Sequence, residues 1–223
     1  MKAGILFSGG KDSTYAMYLA KKAGHEIVCL MTMHSENKES YMFHTPSISK
    51  TEKQAEVMGL PLIVDKTKGE KEEELDDLKR LIKKAIDEFG IEGITTGALH
   101  SEYQAVRIGK ICDDLGLECI NPLWHKDEID YLNELIDADF KIMIIGVFAY
   151  PLDESWLGRI IDDKFIEEVA ELKEKYKIHP AGEGGEFETF VLNCPLFSRE
   201  LKVTDKKISS TGEHSWKMEI SVQ

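Results

Sequence analysis

Six consecutive residues near the start of the chain, Ser8, Gly9, Gly10, Lys11, Asp12 and Ser13, carry the chemistry of an anion site. Gly9 and Gly10 lack a Cβ, so the backbone can turn through positive φ and approach a ligand closely. An apolar run enters this turn and a helix-forming run leaves it. The N–H groups of the helix start, with the positive end of its dipole, favour a negative group there. Asp12 or Ser13 is placed to cap that helix. Lys11 adds a full positive charge, and Ser8 and Ser13 add hydroxyl donors. The composition suits a phosphate cradle, but not the P-loop G-x-x-x-x-G-K-[ST]. Aligning Gly10 and Lys11 with that motif puts Ile5 where a glycine is required and Asp12 where a metal-binding hydroxyl is required.

A second constellation lies late in the chain. Residues 182–189, GEGGEFET, set Glu183, Glu186 and Glu188 among three glycines. If residues 186–189 are extended, Glu186 and Glu188 face one way while Phe187 and Thr189 face the other. Paired carboxylates in a cleft can hold magnesium, accept a proton or neutralise a cation. An exposed acidic turn entering a strand has the same composition, and the residues alone leave both readings open.

The elements that must position these groups follow from hydrophobic periodicity. Strand-like runs at 3–7, 25–33, 60–66, 93–97 and 117–121 alternate with helical stretches predicted at 12–23, 47–58, 70–89 and 102–115. Residues 35–46, SENKESYMFHTP, form a polar interruption with a proline stop. Such alternation indicates βαβ units and a doubly wound α/β fold with a parallel sheet. Ligands of these sheets sit beyond the carboxyl ends of the strands at the topological switch point. That rule gathers residues 8–13, Met33 and Gly97 to Ser101, with backbone groups at Met31 to Met33 and at Gly97 as candidates for holding a base and ribose.

From Asn121 the rhythm changes. Helices at 127–137 and 162–175, an apolar strand within 140–150 and short strands at 188–192, 201–204 and 217–222 indicate a smaller α+β domain. The expected division is 1–122 for nucleotide binding and 123–223 for the substrate.

The formal net charge of −13 opposes the counterion release that drives general nucleic-acid binding, so no nucleic-acid partner is expected. Four cysteines form no C-x-x-C and no metal-ligand spacing, which fits a reducing compartment. No apolar run is long enough to span a bilayer and no leader precedes the first strand, so no membrane partner and a cytoplasmic location are expected.

The loop S-G-G-K-D-S resembles that of the PP-loop ATP pyrophosphatases, which split ATP between its α- and β-phosphates. Together with TTGALHSEYQAVRIGKICDDLGLECINPLW in the middle and GEGGEFET late in the chain, it resembles the diphthine–ammonia ligase family of that group. The resemblance implies an adenine-nucleotide α-hydrolase-like (HUP) sheet with a smaller C-terminal domain. It implies ATP and Mg2+ as cofactors, free ammonium as nitrogen donor, and diphthine-bearing translation elongation factor 2 as partner. The implied products are diphthamide, AMP and pyrophosphate.

On that resemblance Ser8, Gly9, Gly10, Lys11, Asp12, Ser13, Met33 and Gly97 bind ATP. Lys11 and Asp12 are catalytic, and Asp12 also meets the metal together with the ATP phosphates. Diphthine carries a quaternary ammonium, a group held by carboxylates and aromatic faces. Tyr103, Gln104, Arg107, Trp124, Glu183, Glu186, Glu188 and Thr189 are assigned to the substrate, with Phe187 as a further aromatic wall. Arg107, one helical turn from Tyr103, can orient a carboxylate or pair with Glu102 or Asp114 at the surface. His100 and His125 receive no role, and the base that deprotonates ammonium is unassigned. A PP-loop tRNA-modifying enzyme and a non-catalytic adenine-nucleotide-binding module are the alternatives, and a homo-oligomer stays open.

Overall fold

Apolar runs of β-branched and small residues give the first half its strands, and a computed structural model of the chain describes residues 1–35, 48–70 and 73–223. The predicted polar interruption therefore lies outside the described residues from position 36 onward. The chain divides into two compact units, Met1–Trp124 and His125–Gln223. No helix among the described residues is long and apolar enough to cross a membrane.

The first unit runs β1 (Lys2–Leu6), α1 (Lys11–Lys22), β2 (Glu26–Ser35), α2 (Ile48–Met58), β3 (Leu62–Thr67), α3 (Glu73–Phe89), β4 (Gly93–Thr95), α4 (Glu102–Leu115) and β5 (Glu118–Ile120). Its sheet is parallel throughout, in the order β3-β2-β1-β4-β5. The chain builds outward from β1 through β2 to β3, then crosses to the other side of β1 to lay down β4. The order reverses at β1 and β4, so the segments that follow these two strands border the crevice where ligands of such sheets bind.

Helical spacing explains how the sheet is covered. Leu78, Leu81, Ile82 and Ala85 recur at one face of α3 and are fully buried against Cys29, Met31 and Met33 of β2. Ile108, Ile111 and Cys112 do the same for α4. Burying a side chain of this size is worth about 1.5–3 kcal/mol relative to exposure.

Several expected boundaries move. Helix α1 starts at Lys11 with Gly10 as N-cap, and no side chain caps it. Asp12 lies inside the first turn, past the point from which it could cap. Strand β2 runs on to Ser35, so Met33 stands inside the ladder opposite Asp65 and not at the strand's end. Strand β4 ends at Thr95.

Four free thiols are present, and two of them lie side by side. The left-handed Gly116 closes α4 and lets Leu117 N–H bond to Cys112 O at 2.9 Å, which folds the chain straight back into β5. A hydrogen bond to Cys119, added to burial, raises the Cys112 thiol, while the same bond lowers Cys119. Burial pushes Cys29 and Cys194 up to about 12. Thiolates react and thiols do not. In aromatic-disulfide labelling of the folded chain near neutral pH, Cys119 is expected to give the one fast phase, and a fast phase that survives in Cys119→Ser would contradict this arrangement.

The second unit contains α5 (Glu128–Asp137), β6 (Lys141–Val147), α6 (Asp163–Tyr176), β7 (Phe187–Asn193), β8 (Val203–Gly212) and β9 (Ser215–Val222). Its sheet is antiparallel, in the order β7-β6-β9-β8. Asp127 caps α5 by accepting from Ile129 N–H and Asp130 N–H, and Asp162 caps α6 by accepting from Phe165 N–H at 2.8 Å. Strand β8 is far longer than the predicted 201–204. Its sequence VTDKKISSTG lacks the apolar alternation that marks a half-buried strand, because its residues are mostly exposed in a hairpin with β9.

Candidate functional site

In the first unit the chain leaves β1 through Phe7, whose N–H still bonds to Met31 O at 2.8 Å while its carbonyl accepts from Thr32 Oγ1 at 2.7 Å. The strand is thus held up to the threshold of the turn. Gly9 then takes φ +80°, a conformation an L side chain rarely adopts. Ser8 N–H donates to Ser13 Oγ at 3.2 Å, and the Ser8 and Ser13 hydroxyls face each other at 3.2 Å. Thr14 Oγ1–H donates to Gly10 O at 2.8 Å, fixing the carbonyl that opens the helix. With glycine as N-cap, no side chain competes with an anion for the α1 N-terminus.

Lys11 is 3% exposed, and its Nζ donates to both carboxylate oxygens of Asp12 at 2.9 Å. The pair is a compact charge-assisted contact at the helix start. Asp12 is the one acidic side chain within residues 8–13.

Gly97 comes to this loop from the other side. A Cβ on Gly97 would lie 2.7 Å from both Asp12 C and Ser13 N. The segment after β4 therefore packs directly on the first turn of α1. Thr96 Oγ1 hydrogen-bonds to Asn121 Oδ1, and Thr96 N–H donates to Ile120 O at 3.0 Å, tying this segment to β5.

Met33 has its side chain in the core and its backbone in the β2–β3 ladder. Tyr103 and Arg107 do meet: Arg107 Cζ stands 3.5 Å from the centroid of the Tyr103 ring, one turn apart on α4. Asp114 pairs with Lys79 at 2.6 Å. Gln104 lies in the first turn of α4, its N–H donating to the capping Ser101 Oγ at 3.4 Å. Trp124 is half-buried, with its backbone N–H on Asn121 O at 3.1 Å.

In the second unit the acidic loop is more folded than an extended reading gives. Glu186 precedes β7, and its Oε1 accepts from His179 N–H at 3.0 Å. Its carboxylate sits under Gly184, where a Cβ would lie 2.6 Å from Oε1. The Glu186 Oε2 atom is buried and has no hydrogen-bond partner among the described residues. Glu188 stands on β7 opposite Gly146, and Lys217 Nζ of β9 donates to it at 3.2 Å. The two carboxylates therefore do not form a pair on one strand face.

Phe187 is a core residue, 6% exposed and edge-on to Phe165 at 5.8 Å, so it is no cage wall. Glu183 is half-buried in the turn, and Thr189 faces Ile144 across the β6–β7 ladder. His179, to which no role was given, organises this loop. Its Nδ1 accepts from Ala181 N–H at 3.2 Å and Glu183 N–H at 3.5 Å, and its Nε2 lies 3.5 Å from Glu128 Oε1.

Sequence reasoning also missed Gln54. This residue is fully buried on α2, and its Nε2–H donates to Gly9 O at 2.9 Å. A signal was present: Thr51 and Gln54 occupy the buried face of a helix with Ala55 and Val57, where apolar residues belong.

Comparison with known proteins assigns both halves of the sequence to one family. Residues 1–119 match the family model described as the diphthamide synthase N-terminal domain, and residues 127–222 match the diphthamide synthase C-terminal domain. The chain is 35% identical over 230 residues to a Homo sapiens protein named diphthine–ammonia ligase, covering 93% of this chain and 85% of that protein. It is 34% identical to the Schizosaccharomyces pombe protein of that name, covering 96% of this chain and 38% of that protein. It is also 27% identical to a tRNA-specific 2-thiouridylase of Helicobacter acinonychis, over 72% of this chain and 46% of that protein.

Proposed function

The chain belongs to the diphthamide synthase family, and we propose that it uses ATP and ammonium to convert the carboxylate of diphthine on elongation factor 2 into the amide of diphthamide. The observation that carries this reading is the turn of residues 8–13, a glycine-capped helix start with a buried lysine, in a chain whose two halves both match that family.

A carboxylate does not react with ammonia at neutral pH because its oxygen is a poor leaving group. Attack of that oxygen on the α-phosphorus of ATP forms the acyl-adenylate and expels pyrophosphate. Ammonium first gives up a proton to become ammonia, whose lone pair then attacks the carbonyl carbon. AMP leaves with the C–O electrons, and the nitrogen loses a proton. Stabilising the departing pyrophosphate is the demand this loop suits. In our reading Ser8, Gly9, Gly10 and Ser13 hold the phosphates through hydroxyl and backbone donors. Lys11, its ammonium held on Asp12, sets its positive charge beside the phosphates. Asp12 is the carboxylate in this loop that would hold a magnesium ion, which would supply neutralisation of the phosphate charge. The base and ribose fall to backbone near Gly97 and Met33.

Each unit by itself offers candidate substrate contacts: Tyr103, Gln104, Arg107 and Trp124 in the first, and Glu183, Glu186, Glu188 and Thr189 in the second. Support comes from the partnerless Glu186 Oε2: a buried carboxylate oxygen without a hydrogen bond is costly, and a cation without N–H donors suits it. A net charge of −13 favours a protein partner over the tRNA substrates of the thiouridylase class. The reaction is assigned to the cytoplasm, where a translation factor would be modified.

The experiment is product identification with ATP, magnesium, ammonium and diphthine-bearing elongation factor 2. Under turnover AMP and pyrophosphate should form in equal amounts and in step with amidation, with AMP released only when ammonium is present. ADP with phosphate as the main products would overturn the reading, and tight salt-dependent tRNA binding would favour the tRNA-modifying class.

A further inference from the structure

We propose that Gln54 is a positioning residue of the phosphate loop, holding the Gly9–Gly10 peptide so that the Gly10 N–H faces an incoming phosphate; this rests on the reading of residues 8–13 as a phosphate cradle.

Gln54 lies on the buried face of α2 and is fully buried. A primary amide at such a position is costly unless hydrogen-bonded, and an aliphatic residue would fill the space without that demand. Its partner is the loop itself: Nε2–H donates to Gly9 O at 2.9 Å. The assignment of the amide follows from chemistry, since a carbonyl only accepts and so must face the nitrogen. The other end of the amide fills the volume that a Gly9 side chain would need, with Thr51 Cγ2 3.4 Å from the same point. Gln54 and the bare Cα of Gly9 are therefore complementary.

The consequence lies in the peptide plane. In a trans peptide the carbonyl of one residue and the N–H of the next point in opposite directions. Holding Gly9 O inward turns Gly10 N–H outward, where its acceptor is Ser8 Oγ at 3.4 Å, with Ser8 itself exposed. A bond that long to a neutral hydroxyl is weak, and a phosphate oxygen in the same place is a stronger acceptor. Glycine on both sides lets this peptide flip at little cost once the carbonyl is released. A flipped plane would present a carbonyl oxygen to the phosphate, replacing attraction with repulsion. Gln54 acts through the loop and touches no reacting atom, so its effect belongs to phosphate recognition and not to the adenosine part of ATP.

The test uses the full chain, inorganic pyrophosphate and adenosine as separate probes, and Gln54→Met, which keeps the length and bulk but has no donor. Calorimetric titration should show pyrophosphate affinity falling about tenfold or more in Gln54→Met, as loss of a charge-assisted hydrogen bond predicts, with adenosine affinity and thermal midpoint close to the parent. In the parent, the Gly10 amide resonance should shift on pyrophosphate addition, a measurement that stands even if the variant folds poorly. Equal pyrophosphate affinity in parent and Gln54→Met, an equal loss for pyrophosphate and adenosine, or a Gly10 resonance that pyrophosphate leaves in place would overturn the proposal. A parent chain that binds no pyrophosphate at all would instead remove the cradle reading beneath it.

Discussion

Lys11→Ala should lower ATP turnover by roughly 100- to 1,000-fold while leaving the fold intact, the magnitude seen when one preorganised donor to a developing charge is removed. Lys11 is the one cation within residues 8–13, and its ammonium is already held in place by Asp12 at 2.9 Å. A charge fixed before the phosphates arrive costs no reorganisation during reaction. The structural cost is small because the Asp12 side chain is 32% exposed, so water solvates the carboxylate once its partner is gone. Alanine also forms helix well at the first position of α1. Turnover and thermal unfolding measured on the same preparation check this: lost turnover with a retained melting transition fits the account, and parent-like turnover would strip Lys11 of its phosphate role.

Gly97→Ala should be nearly as damaging through packing alone. The added methyl would meet Asp12 C and Ser13 N at 2.7 Å, and these are backbone atoms that cannot rotate away. Either the segment after β4 or the first turn of α1 must retreat. Overpacking of this kind costs about 1–3 kcal/mol of stability. A displacement on the order of 1 Å at a reacting site costs about 100-fold in rate. Gly109 provides the internal contrast. A Cβ there meets nothing within 4 Å, and it lies inside α4, so Gly109→Ala should stabilise by about 0.5–1 kcal/mol without changing turnover. Thermal melts and ATP turnover of the two variants side by side decide it; a Gly97→Ala protein that matches the parent in both would contradict the packing of this segment on the loop.

What could be read from the sequence shares one property: its cause is local. The glycine pair between an apolar strand and a helix gave the turn, and the spacing of Leu78, Leu81, Ile82 and Ala85 gave the covering face of α3. The parallel order followed because helices of this length separate the strands. What escaped depends on partners far along the chain. Gln54 reaches Gly9 across 45 positions, and no local pattern names its acceptor. Glu186 turns back to His179 N–H instead of continuing into β7, a choice made by the loop's tertiary folding. Phe187, named as an aromatic wall on the family resemblance, is a core residue because Phe165 of α6 packs against it. The cap of α1 falls on Gly10 and not on Asp12, a good capping residue by type, because Gly10 is the last extended residue and the helix already begins at Lys11.

The most direct measurement of the central claim follows one oxygen atom. With the diphthine carboxylate on elongation factor 2 enriched in oxygen-18, activation through an acyl-adenylate must leave one labelled oxygen on the phosphate of AMP, since the C–O bond breaks when ammonia forms the amide. Mass spectrometry of the nucleotide after a single turnover should find that label in AMP in step with diphthamide formed. Label in inorganic phosphate instead, or unlabelled AMP beside completed amidation, would contradict the account.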